Sequence, residues 1–303
     1  MKDLWPLVSV AVITYNSSKT VLETLESIAN QTYQNLELIV SDDGSADNTV
    51  EVCREWIEAH KQRFVRTELL VVEKNTGVSA NMNRAEKACQ GEWVKVIAGD
   101  DLLMPHCVET YIDYVKEHAD AVCVFSKVEV FGDNSEAVSG FVNGIFDYSF
   151  FELPIEEQYR WMISKGTQPI PTSTYFYNRS RMLSLGVDND ERIPLLEDWP
   201  KWIRLLEKQV RFCFVDKPLV RYRVSDASLC SGTLHRELFS KSRALLYLYY
   251  QYEPNKVISG RVEAFYKYTY CKKLLTGKFG WKFGFLFMKC ITFPKRFMKK
   301  NHK

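Results

Sequence analysis

The stretch LVSVAVITYN, residues 7–16, decides the fold class, because a mostly apolar run ends abruptly in polar residues. A short apolar run bounded by turn signals is typical of a buried strand, and a helical pattern follows it over residues 19–30. The alternation continues, with strands predicted at 36–40, 69–72, 93–97 and 121–125 and helices at 47–61, 78–89 and 105–117. Strands and helices that alternate with short loops predict a parallel sheet covered by helices on both faces.

The pattern weakens after residue 132. Residues 133–172 are rich in aromatic and loop-forming residues. Beyond them, the pattern predicts a strand at 173–177, a helix at 196–208, and paired strands at 210–215 and 219–224. From residue 234 onward it is helical, so we expect a C-terminal helical extension.

Composition excludes several classes of protein. The 303 residues are 46% apolar and 26% charged, as in a globular chain. No apolar stretch approaches the roughly 18 residues of a membrane-spanning helix. The eight cysteines and five histidines lack the short spacings of a zinc site. We expect reduced, buried thiols, no signal peptide and a cytoplasmic location.

Polar and acidic residues follow three of the predicted strands. Thr14, Tyr15 and Asn16 follow the first, SDDGS at 41–45 follows the second, and AGDD at 98–101 follows the fourth. Because the carboxyl ends of parallel strands meet at one edge of a sheet, these clusters should converge there. Adjacent carboxylates favour a divalent cation with phosphate ligands, and an aromatic ring can stack on a base. Each cluster alone is equally compatible with a turn or a helix start, but together they predict a nucleotide diphosphate site.

Other phosphate-binding and hydrolytic motifs are missing from the sequence. It contains no G-x-x-x-x-G-K-[ST], no G-x-G-x-x-G after the first strand and no G-x-S-x-G. Their absence argues against a P-loop enzyme, a dinucleotide oxidoreductase and the usual kind of hydrolase.

Several segments, in this order, resemble the family 2 inverting glycosyltransferases. The matching segments are VAVITYN at 10–16, QTY at 31–33, ELIVSDDGS at 37–45, DNT at 47–49, NTGV at 75–78, Asn83, GE at 91–92 and GDD at 99–101. The resemblance is highly specific over residues 7–105, extends to about residue 225 and is absent beyond. It implies the GT-A fold, an α/β fold whose mostly parallel sheet is flanked by helices. It also implies a nucleotide-diphosphate sugar donor and a divalent cation, Mg²⁺ or Mn²⁺.

The resemblance also implies roles for individual residues. Tyr15 would stack on the base and Asp43 would bind the uracil edge. Asp100 would contact the ribose or the metal, and Asp101 the metal and the diphosphate. Many members have Asp-any-Asp-Asp here, but Ala98 stands at the first Asp position, which leaves open whether Asp100 or Asp101 is the direct metal ligand. The complete implied nucleotide-binding set is Thr14, Tyr15, Asn16, Asp43, Gly77, Asn83 and Asp100.

A second acidic pair, Glu197 and Asp198, resembles the family's catalytic Glu-Asp pair. Asp198 would be the general base that takes the proton of the acceptor hydroxyl, and Glu197 would contact the acceptor. The alternative is a carboxylate pair that only stabilises the start of a helix. Arg223 resembles a residue that binds the diphosphate, although it could equally lie on an exposed strand face, and Ser225 occupies the position where members often have His. Residues 169–172 would border the acceptor pocket or pack at the surface.

Charge is unevenly distributed along the chain. The net charge is +2, yet residues 272–303 contain ten Lys/Arg and no Asp or Glu, which leaves −8 on the rest. Basic residues interleaved with Trp, Phe and Leu are typical of an amphipathic segment on an anionic membrane. A helix packed on its own domain and a nucleic-acid-binding segment are the alternatives. We expect membrane binding by this tail, without nucleic acid, on the inner face of the cell membrane.

The family resemblance predicts an enzyme that transfers a sugar, with inversion, from a UDP-sugar to a hydroxyl of a lipid-linked or polysaccharide acceptor. Residues 1–130 would be the nucleotide-binding half and 131–230 the acceptor-binding half of one domain, with the extension at 231–303. Two other functions are kept open: a module that binds a nucleotide-sugar without turnover, and a sugar nucleotidyltransferase. The latter needs a Gly-rich basic loop after the first strand, which NSSK at 16–19 does not supply.

Overall fold

The computed structural model describes residues 5–132, 146–164, 169–193 and 197–224. They belong to the first of two units into which the chain divides, Met1–Gly232 and Thr233–Lys303. The predicted helical extension therefore lies outside the described residues.

The first half of the chain forms the predicted alternation of strands and helices. The strands are β1 (Val8–Thr14), β2 (Leu36–Asp42), β3 (Arg66–Val71) and β4 (Trp93–Ala98), and the helices are α1 (Val21–Ala29), α2 (Thr49–His60), α3 (Val78–Ala88) and α4 (Cys107–Glu117). β1 pairs in parallel with both β2 and β4, and β2 pairs in parallel with β3. All seven residues of β2 are buried, as expected for a strand covered on both faces. The predicted parallel sheet is thus confirmed.

The second half adds four strands and three helices among the described residues. The strands are β5 (Leu102–Leu103), β6 (Cys123–Phe131), β7 (Phe176–Asn178) and β8 (Phe212–Arg223), and the helices are α5 (Ile155–Ser164), α6 (Arg179–Leu185) and α7 (Asp198–Glu207). The sheet order is β3-β2-β1-β4-β7-β6-β8-β5. β7 runs antiparallel between β4 and β6, so the sheet is mixed at the point where its two halves join.

Three predictions for the second half differ from the structure. The two strands predicted at 210–215 and 219–224 are one strand, β8, whose pairing with β6 shifts register around Lys127, opposite Pro218. Pro218 has no N–H to donate, so a bulge at this position costs little. The strand predicted at 173–177 begins as the 3₁₀ turn Thr172–Thr174 and becomes extended only in β7. Helix α5 lies within the segment expected to be a loop.

Aromatic stacking joins the two halves of the sheet. The Phe176 ring on β7 stacks on Trp93 of β4 and on Tyr111 of α4, with ring centroids 5.1 and 4.8 Å apart. Phe176 and Tyr111 are fully buried and Trp93 nearly so. Burying large aromatic side chains stabilises a core strongly, and this stack fixes the short strand β7 against β4 and α4.

None of the helices in the described ranges is both long enough and apolar enough to cross a membrane. The tail at 272–303 lies outside those ranges, so its amphipathic character remains a prediction.

Candidate active site

The carboxyl ends of β1, β2 and β4 are hydrogen-bonded to one another, which brings the three predicted clusters to one edge of the sheet. The N–H of Asp43 donates to the carbonyl of Thr14 at 3.0 Å, and the N–H of Gly99 donates to the carbonyl of Ile13 at 2.9 Å. A Cβ on Gly99 would lie 2.8 Å from Cγ2 of Thr14. A side chain at this position would therefore force Thr14 to shift, which glycine avoids.

The residues after β1 differ in what they contact. The Thr14 hydroxyl is buried and donates to Oδ2 of Asp42 at 2.8 Å. Asn16 has φ = 51° and links the first loop to the second: its N–H donates to Oγ of Ser45 and its Oδ1 accepts the N–H of Ala46, both at 2.8 Å. Tyr15 is 50% exposed, so its ring is the one in this loop that can meet a ligand.

Asp43 organises the loop that precedes α3. Its buried carboxylate accepts hydrogen bonds from the N–H groups of Thr76 (3.0 Å) and Gly77 (2.8 Å), from the Thr76 hydroxyl and from Nη2 of Arg84 (3.0 Å). Burial favours a raised pKa, but the hydrogen bonds from Thr76, Arg84 and Gly77 outweigh it and lower the pKa of Asp43. A carboxylate offers about four acceptor positions, so a uracil edge would have to share them with these donors.

Gly77 and Asn83 both help to place α3. Gly77, with φ = 93°, precedes the first residue of the helix. Asn83 is buried in the helix, and its Nδ2 donates to the carbonyl of Asn189 and to Oε1 of Glu191, both at 2.9 Å. The structure thus places Asn83 against the segment that leads to the second acidic pair, and its predicted nucleotide contact stays a prediction.

Asp100 and Asp101 follow β4, and their carboxyl groups affect each other. Asp101 is buried, and its Oδ1 accepts the N–H of Arg223 at 2.9 Å. Burial, followed by the neighbouring Asp100, raises the pKa of Asp101 well above its usual range, and burial also raises the pKa of Asp100. Thr24, which the sequence analysis missed, supports the motif from α1 by donating to the Asp101 carbonyl at 2.8 Å.

This donor set fits a hard divalent cation. Two adjacent carboxyl groups are costly to ionise, but a cation that lies against them makes their ionisation favourable. Mg²⁺ needs only one or two carboxylates when phosphates supply other ligands. In the part of the chain that the structure describes, no group of three or more His, Cys, Asp or Glu forms a complete protein cage.

The guanidinium of Arg223 contacts protein groups around the metal motif. Nε donates to the Asp100 carbonyl and Nη2 to Oε2 of Glu23, both at 2.8 Å, and the group lies 4.4 Å from the centroid of the Phe131 ring. These contacts hold β8 against the end of β4. The predicted contact of Arg223 with the diphosphate stays a prediction.

The second acidic pair begins α7. Oδ1 of Asp198 accepts the N–H of Trp199 at 2.6 Å, and Oδ2 accepts the hydroxyl of Thr172. Asp198 is 8% exposed. Burial, followed by the charge of Asp198, raises the pKa of Glu197 to about 8. Burial and the neighbouring carboxylate therefore both favour the protonated form of Glu197.

A buried ion pair connects α7 with α3. Nζ of Lys201 lies 2.8 and 3.1 Å from the two carboxylate oxygens of Glu86, and the Lys201 side chain is 1% exposed. The ammonium also lies over the rings of Tyr175 and Tyr177, at 5.0 and 5.4 Å from their centroids. The sequence analysis missed this pair, because a lysine in a helix is usually exposed and nothing in its neighbours along the chain signals its partner.

Comparisons with known proteins agree with this geometry. The sequence profile described as "Glycosyl transferase family 2" matches residues 9–184. The uncharacterized glycosyltransferase MJ1057 of Methanocaldococcus jannaschii is 26% identical over 220 residues, which is 72% of this chain and 71% of that protein. The chondroitin synthase of Escherichia coli is 34% identical over 40% of this chain, and the glycosyltransferase GlyG of Streptococcus pneumoniae is 32% identical over 50% of it. The matches span only 17% and 48% of the lengths of those two proteins.

Solved structures show the same fold at low sequence identity. TarS of S. aureus in complex with UDP-GlcNAc superimposes with a TM-score of 0.64 at 18% identity, over 94% of this chain and 80% of that one. The mannosyltransferase PcManGT of Pyrobaculum calidifontis, in complex with GDP-Man and Mn²⁺, gives a TM-score of 0.59 at 15% identity, over 94% and 86%. The sheet and its helices form the GT-A fold. Since the family profile covers more than half of the sequence, the chain belongs to glycosyl transferase family 2.

Proposed function

We propose that this glycosyltransferase moves a sugar from a UDP-sugar to a hydroxyl of a lipid-linked or polysaccharide acceptor, with inversion at C1. The observation that carries the proposal is the carboxylate pair Asp100–Asp101, of which Asp101 is buried and Asp100 partly buried. Hydrogen bonds at the β1 and β4 ends join this pair to the loop in which Tyr15 is exposed. A base-stacking ring and a diphosphate-directed carboxylate pair at one sheet edge are what a sugar nucleotide requires.

The residues of the sheet edge would bind and orient the donor. Tyr15 would stack on the base, and Asp43 would hold the loop before α3, where Gly77 lies. Asp100 and Asp101 would hold Mg²⁺ or Mn²⁺, which when bound neutralises the charge that develops on the departing diphosphate.

Asp198 would act on the acceptor. Its carboxylate would remove the proton of the acceptor hydroxyl as that oxygen bonds to C1 and the C1–O bond to the diphosphate breaks, so that the leaving electron pair ends on UDP. Burial raises the pKa of Glu197, and in the family that the sequence resembles the Asp of this pair is the base, so we assign that role to Asp198.

The choice of UDP follows the family resemblance of the sequence and is open to direct test. TarS was solved with UDP-GlcNAc and PcManGT with GDP-Man and Mn²⁺. A screen can follow the release of UDP, GDP and dTDP from their sugar conjugates, with Mn²⁺ and with a chelator. It identifies which nucleotide the donor carries and whether transfer requires the metal. We expect UDP release that depends on the cation, and equal release with the chelator would contradict the metal assignment.

Substitution of the base tests the mechanism. Asp198→Asn should reduce turnover by about 10²-fold or more and leave UDP affinity in calorimetry nearly unchanged, because the donor residues lie elsewhere. Asp113→Asn, an exposed aspartate on α4, is the matched control and should keep full turnover. Unchanged turnover in Asp198→Asn would remove it as the base, and UDP binding without any turnover in the unsubstituted protein would favour a non-catalytic binding module.

The location is also part of the proposal. The basic and aromatic tail at 272–303 would hold the enzyme on the anionic inner face of the cell membrane, where a lipid-linked acceptor is accessible. This part rests on the sequence alone.

A further inference from the structure

Thr172 lies in the 3₁₀ turn Thr172–Thr174 and contacts a residue far away in the chain. Its hydroxyl donates a hydrogen bond to Oδ2 of Asp198, 26 positions further on. The side chain of Thr172 is partly buried, and Asp198 is almost fully buried. The contact therefore forms in a region where water competes little for the carboxylate.

Buried residues from three other elements anchor this turn. The Tyr111 hydroxyl on α4 donates to the Thr174 carbonyl at 2.6 Å, and the N–H of Ser126 on β6 donates to Oγ1 of Thr174 at 3.2 Å. From β4, Nζ of Lys95 donates to the carbonyl of Ser173. The turn is thus held by several elements, which fixes the position of the backbone that carries the Thr172 hydroxyl.

One of these anchors, Lys95, is a buried charged residue. It is fully buried in the middle of β4, and burial lowers its pKa to about 8. Its hydrogen-bond partners among the described residues are the carbonyls of Val96 and Ser173. Burying an ammonium group costs free energy unless it is hydrogen-bonded. Here the ammonium is hydrogen-bonded to the carbonyl of Ser173, the residue next to Thr172 in the chain.

Both oxygens of the Asp198 carboxylate accept protein donors. The N–H of Trp199 donates to Oδ1 and the Thr172 hydroxyl to Oδ2. The last torsion of an aspartate side chain is broad and roughly two-fold, so a single donor leaves the plane of the carboxylate poorly fixed. Two donors, one on each oxygen, define that plane.

We propose that Thr172 is a positioning residue for Asp198: its hydroxyl fixes the carboxylate plane so that a lone pair faces the acceptor hydroxyl. The inference rests on the proposed function, in which Asp198 is the base. A base must lie within hydrogen-bond reach of the proton that it removes, and small misplacements of reacting groups cost large factors in rate.

The test compares two substitutions of nearly equal size. Thr172→Val keeps the shape and removes the hydroxyl, and we expect turnover to fall by about 10- to 100-fold while donor KM and melting temperature stay close to wild type. Thr172→Ser keeps the hydroxyl and should retain most of the turnover. Thr67→Val on the edge strand β3 makes the same chemical change at the far side of the sheet and should leave turnover unchanged.

A double-mutant cycle separates positioning from a general structural effect. In an Asp198→Asn background, Thr172→Val should cause no further loss of the residual transfer, because the carboxylate that it positions is already gone. Equal losses in both backgrounds, or equal losses in Thr172→Ser and Thr172→Val, would overturn the inference. If Asp198→Asn itself keeps full turnover, the proposed base fails. If Asp198→Asn loses turnover and Thr172→Val does not, only the positioning role fails.

Discussion

Glu197 gives the active-site region a measurable dependence on pH. The folded chain keeps its proton up to about pH 8, whereas the unfolded chain releases it near 4.5. The folded state therefore binds the extra proton between these values, and its free energy of unfolding falls as pH rises through this window. Glu197→Gln cannot ionise, so its stability relative to wild type should increase from pH 5 to pH 8, by up to about 1.4 kcal/mol per pH unit.

Urea unfolding of both proteins at pH 5, 6.5 and 8 checks this expectation. Glu156→Gln, an exposed glutamate on α5, is the matched control and should give no such trend. If the difference in unfolding free energy between wild type and Glu197→Gln is constant across this range, Glu197 does not hold its proton in the folded chain.

Some of the site residues could be located from the sequence, and others could not. Thr14, Asp43 and Asp101 end or directly follow strands, and parallel topology alone carries them to one edge. Glu86 and Lys201 could not be found this way, because they lie 115 positions apart and their contact depends on how helices pack. Thr172 lies in the segment 169–172 that was predicted to border the acceptor pocket, but its contact with Asp198, 26 positions away, was not predictable. Arg223 was identified as a candidate, but its contacts with Asp100 and Glu23 follow from the position of β8 and not from its motif.

Helix α7 carries the proposed base, and the ion pair between Lys201 and Glu86 ties it to α3. Removing one partner of a buried pair leaves an uncompensated charge, so Lys201→Met should lower the free energy of unfolding by about 3–5 kcal/mol. Replacing both with Glu86→Gln and Lys201→Met should recover much of this loss, since no buried charge then remains. Chemical denaturation of the single and double variants measures both effects.

The exposed pair Lys116–Asp113 on α4 supplies the control for this experiment. Its atoms lie 3.2 Å apart, but both side chains are about half exposed or more. Lys116→Met should change stability by less than about 1 kcal/mol. A similarly small loss in Lys201→Met would show that the Glu86 carboxylate finds another partner and that the pair does not hold α7 in place.

Elements with strong periodicity were predictable, whereas short or bulged ones were not. The alternation that gives β1 to β4 and α1 to α4 is local, and the structure confirms it. β8 looked like two strands because Asp216, Lys217 and Pro218 interrupt its apolar pattern, yet after the register shift its pairing with β6 resumes at Pro218. Helix α6 has only seven residues, too few to give a clear helical period.

The whole chain combines an acidic body with a basic C-terminal tail, and this asymmetry predicts binding to anionic membranes. The first 271 residues carry a net charge of −8 and residues 272–303 carry +10. Each basic residue near an anionic surface contributes about 1 kcal/mol, and salt screens the attraction. In sedimentation with phosphatidylglycerol vesicles, we expect the full chain to bind at low salt and to dissociate as salt increases, with little binding to phosphatidylcholine vesicles.

A full-length variant with charge removed from the tail separates electrostatic from apolar binding. Changing Lys295, Arg296, Lys299 and Lys300 to Gln keeps every aromatic residue of the tail and removes four positive charges. This variant should bind anionic vesicles at least about tenfold more weakly and retain UDP affinity, because the nucleotide residues lie on the sheet. The same four changes made at lysines of the body, Lys61, Lys87, Lys116 and Lys208, should have little effect on vesicle binding. A full chain that ignores anionic vesicles at low salt, or a tail variant that binds as well as wild type, would contradict the assignment of this segment to the membrane.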